Sequence, residues 1–199
     1  AEVADAYLSG LESLLRHREV ARLASVASFF LSRIDVMIDA ALDDRMGTGL
    51  VAPDVAARLR GRVAIASARL AYQRFKGISD SPRFRAVAAR GARPQRLLWA
   101  STSTKDPAYP DVYYVEALIG EGTINTVPLA TFEAYRDHGR PELRLEQGLD
   151  DASGVLRELA TTGIDLDDVT RRLEADGVLK FVGSYDRLLE TIARRRAAA

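Results

Sequence analysis

The 199-residue sequence contains no cysteine. That excludes a disulfide framework, a thiolate-held metal cluster and thiol nucleophiles. Histidine is nearly as scarce: His17 and His138 are the only two, too few for a histidine-built metal site. Lysine is limited to Lys76, Lys105 and Lys180, so the positive charge is almost all arginine. The 28 basic residues balance 28 acidic ones, giving zero formal net charge. A neutral chain lacks the basic excess that nucleic acid or an anionic membrane rewards, so neither is expected as a partner. The longest mostly apolar stretch, Ser25 to Leu31, falls far short of the ~20 residues that a bilayer crossing takes. No signal-peptide pattern opens the chain, and a cytoplasmic location is expected. There is no GxGxxG, no Walker-type loop and no HExxH. Asp165 to Asp168 lacks the central glycine of a calcium loop. No metal or cofactor is expected.

What is present is an alternation of helical and strand patterns. Val3, Tyr7, Leu8, Leu11, Leu14 and Leu15 recur at helical spacing, which predicts a helix over roughly 2–17. The chain thus opens on a helix without an initiating methionine, and the expectation is that it is the C-terminal part of something longer. Leu23 to Leu31 is short, apolar and small-residue-rich, which suits a strand buried on both faces. It stops at Ser32-Arg33, and Asp35 to Asp44 reads as a loop and short helix. Pro53 to Lys76 reads as one long helix started by a first-turn proline and stopped by Gly77, with Gly61 tolerated inside. Ser81-Pro82 caps a further short helix. A second strand is expected at Arg96 to Ala100 or Ser101, and a third at Thr123 to Val127. Helices are expected from Pro110 and Pro128, with Leu129, Phe132 and Tyr135 striping the latter. The tail from Gly139 reads as three helices, over about 150–162, 165–176 and 178–196.

Strands that alternate with helices imply an α/β fold with parallel strands and helical crossovers. Three strands cannot close a barrel, which takes about eight. In such folds, sites gather at the carboxyl ends of the strands. Those ends carry Ser32-Arg33, then Ser101-Thr102-Ser103-Thr104-Lys105, then Asn125-Thr126. Two cations and a row of hydroxyls supply the charge and the adjustable donors that a phosphate or carboxylate needs. The competing reading is that Arg33 and Lys105 simply pair with Asp35 and Asp106. Lys105 could also be a Schiff-base nucleophile. That role wants a desolvated amine inside the barrel, whereas Lys105 lies past the strand end in a polar loop. Trp99, ending a strand, fits core or pocket wall.

Several stretches carry a more specific signal: GARPQRLLWAST at Gly91 to Thr102, TKDP at Thr104 to Pro107, YVEALIG at Tyr114 to Gly120 and NTVP at Asn125 to Pro128. Together they resemble bacterial transaldolase. ASVASFFLSRID, Ala24 to Asp35, is similar to that family's sixth barrel strand, and AYLSGLE, Ala6 to Glu12, to the helix before it. The resemblance runs over essentially the whole chain. It implies a TIM (β/α)8 barrel, here incomplete and lacking its N-terminal half. Residues 1–139 would be the C-terminal half-barrel, and 140–199 a helical segment packing on it. The resemblance also implies transfer of a dihydroxyacetone unit between phosphorylated sugars through a lysine Schiff base, without metal or cofactor. The reacting lysine, on the family's fourth strand, and its helper acids should lie before Ala1. No catalytic residue carries over, and the chain alone is expected to be inactive. The phosphate end of the pocket does carry over: Arg33 matches the arginine after the sixth strand and Ser101 the serine ending the seventh. Lys105 stands near where related enzymes place a second arginine, with the right charge but an imperfect alignment. Phe30, Ser32 and Asn125 would line the substrate pocket. The alternative is a non-catalytic half-barrel that binds sugar phosphates or a partner subunit.

Overall fold

The computed structural model describes residues 2–197. Three short parallel strands form one open sheet in the order β1-β2-β3: β1 is Val26–Phe30, β2 is Arg96–Ala100 and β3 is Ile124–Asn125. Before them, α1 (Glu2–Leu14) packs through Leu8 and Leu11 on a satellite core with Phe84 and Val87 of α5 (Pro82–Ala88). The expected cap of α5 is in place, with Ser81 Oγ accepting from Phe84 N at 3.1 Å.

Between β1 and β2 run α2 (Ser32–Gly47), α3 (Pro53–Leu59) and α4 (Val63–Ser79). After β2 come α6 (Tyr113–Ala117), then β3, α7 (Leu129–His138), α8 (Leu149–Thr161) and α9 (Leu166–Ala197). The main core joins Leu31, Ile38, Leu42, Leu59, Val63 and Trp99 to Tyr114, Leu118, Leu145, Val155 and Leu159. The largest of these, Trp99, is fully buried and meets Phe29 edge-on at 5.9 Å, as a core residue.

Several local expectations are overturned. The segment after β1 is no loop: α2 starts at the strand tip and runs 16 residues. Its Ile34, Ile38 and Leu42 make a buried stripe that the interleaved acids obscure. The long helix expected from Pro53 is two helices, broken at Gly61, whose φ is +67°. Gly77 does not stop α4, which runs on to Ser79, and Gly177 lies inside one continuous α9 of 32 residues. A mid-helix glycine costs only about 1 kcal/mol relative to alanine, and the surrounding pattern outweighs it. The helix expected from Pro110 shrinks to the five residues of α6, and β3 to two residues.

Strand β1 is not buried on both faces. Val26 and Phe30 are exposed on one face, while Ala27 and Phe29 are half-buried on the other. The Ser28 and Phe30 face of β1 is only partly covered, across an open cavity, by residues of α9. The α7 stripe likewise leaves Leu129 and Phe132 exposed. Most of α9 also shows apolar side chains to solvent: Val178, Phe181, Val182, Leu188 and Ile192. No helix is long and apolar enough to cross a membrane among the described residues.

Gly61 and Gly77 give opposite expectations. A Cβ at Gly61 would stand 2.6 Å from the Tyr109 ring on a left-handed backbone, whereas one at Gly77 meets nothing within 4 Å. Gly61→Ala should therefore lose about 1–3 kcal/mol and Gly77→Ala gain up to about 1 kcal/mol, read from urea unfolding midpoints.

Candidate functional site

The sheet register continues beyond the strands and builds the rim. Leu31 N donates to Ala100 O at 3.0 Å and Ser32 N to Ser101 O at 3.1 Å. On the other side, Thr126 N donates to Trp99 O at 2.9 Å, and Thr102 Oγ1 donates to Thr126 O at 2.7 Å. Ser32, Ser101, Thr102 and Thr126 therefore form one contiguous row at the carboxyl ends of the strands. Ser101 has φ +55°, the one positive value at a non-glycine residue among those described. A non-glycine residue in that region is uncommon, and such strain clusters at sites where the surroundings over-determine the backbone. The buried Ser32 Oγ and Asn125 Oδ1 have no protein hydrogen-bond partner. Such orphans at a strand tip are what a bound polar ligand could satisfy.

Arg33 sits in the first turn of α2, beside this row. Its guanidinium lies 5.3 Å from the centroid of the Phe30 ring, in cation–π distance. Both residues line a cavity of about 590 Å³, walled by Ser28, Phe29 and Ile34 on one side and by Thr170, Leu173, Glu174, Val178 and Phe181 of α9 on the other. No carboxylate pairs with Arg33 or Lys105 among the described residues. The pairings of Arg33 with Asp35 and of Lys105 with Asp106 do not form. Asp35 accepts instead from Ala64 N and Tyr114 Oη, each at 2.8 Å, and Asp106 accepts from Ala108 N.

The sequence-derived residues divide into two groups. Phe30 and Arg33 line one cavity, and a backbone hydrogen bond joins Ser32 to Ser101 next to them in the chain at the junction of β1, β2 and α2, although neither serine lines that cavity. Lys105 does not share Arg33's cavity. It donates to Ser103 Oγ at 2.9 Å and lines a separate hollow of about 480 Å³ with Asp35, Asp39, Asp43 and Asp106. Arg60, the other cation of that hollow, already pairs with Asp43. A phosphate there would meet more negative than positive charge. Asn125 pairs in register with Trp99, which places it on the sheet face of Trp99 and Phe29, opposite Ser28 and Phe30.

Sequence reasoning missed a polar cluster below the rim. Asp35 and Asp39 stand one turn apart on the buried side of α2. Asp39 Oδ1 accepts from Gly61 N at 3.1 Å and Asp39 Oδ2 from Tyr109 Oη at 2.8 Å. Tyr113 Oη donates to Gly61 O at 3.1 Å, and its ring stacks on Tyr109 at 5.7 Å. Burial pushes the Asp35 carboxyl up to about 6, against the hydrogen bonds from Ala64 and Tyr114 that favour its charged form. Burial also raises Asp39, opposed by the hydrogen bonds from Tyr109 and Gly61. The available signal was the acids at i and i+4, inside the stripe Ile34, Ile38, Leu42.

Comparison with known proteins gives a consistent picture. The sequence profile described as Transaldolase/Fructose-6-phosphate aldolase matches residues 1–192. The transaldolase of Frankia alni is 50% identical over 195 residues, 97% of this chain and 51% of that protein. That of Parafrankia sp. (strain EAN1pec) is 47% identical over 199 residues, 99% of this chain and 52% of that protein. That of Thiobacillus denitrificans is 49% identical over 191 residues, 96% of this chain and 52% of that protein. The chain spans about half the length of these curated relatives.

The buried carboxyl gives a pH prediction. A folded value near 6, above the usual 3.8, means that the folded state holds its proton longer than the unfolded state. Between those values stability falls as pH rises, by roughly 3 kcal/mol for this group at neutral pH. Asp35→Asn removes the titration. The wild type should therefore gain about 2–3 kcal/mol relative to the variant from about pH 7 to about pH 4, measured by urea unfolding of both. A pH-independent difference would contradict the assignment.

Proposed function

This chain belongs to the transaldolase/fructose-6-phosphate aldolase family, and from that premise we propose that it supplies the phosphate-holding part of a transaldolase. The reaction is transfer of a dihydroxyacetone unit from sedoheptulose 7-phosphate to glyceraldehyde 3-phosphate. It yields erythrose 4-phosphate and fructose 6-phosphate, as in the pentose phosphate pathway. The observation that carries this reading is the junction at which Arg33, free of any carboxylate partner among the described residues, stands beside Ser32 and the strained Ser101.

The division of labour follows from the side chains. Arg33 offers a planar fork of N–H donors that matches a phosphate dianion, and its stacking on Phe30 restricts where the fork can point. Ser32 and Ser101 add hydroxyl donors of adjustable direction. The N-terminal end of α2 adds a partial positive field at the same place. Phe30 and the apolar residues of α9 wall the cavity and offer the carbon face of a sugar an apolar surface to lie on. In this arrangement Lys105 makes no phosphate contact. Binding energy from a remote phosphate serves to hold the reacting carbons in place, so the site acts on both affinity and rate.

The Schiff-base amine is assigned to none of the three lysines of this chain. Lys76 pairs with Glu146 at 2.8 Å, Lys180 with Asp176, and Lys105 is exposed on its loop. A Schiff-base lysine needs a desolvated amine against the substrate carbonyl. The reaction then also needs residues beyond these. The exposed inward face of β1 and the apolar face of α9 are surfaces on which a longer chain could close its barrel.

Two outcomes are expected. In the natural gene product that carries this chain, Arg33→Ala should raise KM at least about tenfold for fructose 6-phosphate and change it little for unphosphorylated fructose. Equal losses for both sugars would reject the phosphate role. The 199-residue chain incubated with fructose 6-phosphate and borohydride should form no covalent adduct, by intact-mass spectrometry. An adduct on Lys105 would overturn the lysine assignment.

A further inference from the structure

We infer that Asp39 and Asp35 are positioning residues that clamp the loop between β2 and α6 to helix α2, and so fix Ser101 beside Arg33. The inference rests on the phosphate site proposed above and adds to it the residues that hold its two halves together.

The loop from Ser101 to Val112 has no helix or strand of its own. At its near end it is held by Ser101 O accepting from Ser32 N and by Thr102 Oγ1 donating to Thr126 O. Its far end is held by the hydroxyl of Tyr109 and, where it enters α6, by those of Tyr113 and Tyr114. Tyr109 donates to Asp39, Tyr114 to Asp35 and Tyr113 to Gly61 O. The remaining carboxylate oxygens accept from Gly61 N and Ala64 N, so α2, the α3–α4 junction and the loop meet on the same two side chains. Gly61 is part of the device, because any Cβ there would displace the Tyr109 ring.

The choice of residues argues against simple packing. Burying two carboxylates a turn apart is expensive, and an apolar pair would hold α2 against α4 more cheaply. What carboxylates provide is a directed, charge-assisted grip on hydroxyl groups. The same helix presents Arg33 two residues before Asp35, so movement of the loop relative to α2 is movement of Ser101 relative to Arg33. A positive-φ serine with no glycine's freedom stays put only if both ends of its loop are fixed.

The test uses Tyr109→Phe and Asp39→Asn in the natural gene product, with Asp39→Glu as the conservative partner. Two readouts are taken: hydrogen exchange across residues 101–112, and KM and kcat for fructose 6-phosphate and for fructose. The expected result is faster exchange confined to the loop. KM for fructose 6-phosphate should rise about tenfold, with KM for fructose nearly unchanged and partial recovery in Asp39→Glu. Faster exchange spread over the whole core, with equal losses for both sugars, would reduce the pair to a structural role and overturn the inference. Loosening of the loop without a phosphate-selective change in KM would also overturn it, as would no loosening at all. The Arg33→Ala comparison stands apart. If Arg33→Ala is phosphate-selective and these variants are not, the clamp fails and the site survives. If Arg33→Ala is indifferent to phosphate, the site itself fails.

Discussion

The site depends on a parallel register that persists after the strands have ended. Two backbone hydrogen bonds, Leu31 N to Ala100 O and Ser32 N to Ser101 O, carry the β1–β2 pairing one step past the sheet. Because α2 begins at that step, its first turn is delivered to the tip of the neighbouring strand. Arg33 and Ser101 are far apart in sequence, and a slip of one residue in the β1–β2 pairing would part Ser32 from Ser101 and turn every β1 side chain to the other face of the sheet. The apolar packing below fixes the register: Phe29 and Trp99 are register partners, and their rings meet edge to face in the core. The hydrophobic core thus sets the geometry of the polar site that it borders.

A second constraint works from the side. The loop after β2 would be free to swing without the tyrosine hydroxyls that end on Asp35, Asp39 and Gly61. Burial disfavours these carboxylates in charged form, and the hydrogen bonds only partly offset that. The fold therefore gives up stability near the site to hold polar groups in a defined arrangement, as functional sites often do. Lys105, further along the same loop, is turned to a hollow lined by aspartates. Arg33 is left as the cation of the rim.

Much of this was legible in the sequence, and the failures have physical causes. Strand β2 and the Ser81 cap follow from an apolar run that ends abruptly and from a serine before proline. The strand-tip location of Arg33 and Ser101 follows from parallel α/β topology alone. Gly61 was misread because apolar spacing continues on both sides of it, and periodicity cannot register one left-handed residue. Gly77 and Gly177 were misread in the opposite sense, as breaks where helices continue. Asp35 and Asp39 were hidden because an acid in a helical pattern is normally solvated, and only tertiary packing reveals the tyrosines that face them. The direction of Lys105 is set by loop geometry that no spacing rule encodes.

The most direct measurement is a crystal structure of the natural gene product with fructose 6-phosphate bound. The account predicts phosphate oxygens within hydrogen-bond distance of the Arg33 guanidinium and the Ser101 hydroxyl, with Phe30 against the sugar. A phosphate seated instead in the Lys105 hollow, or on any surface away from the β1–β2 tips, would contradict it.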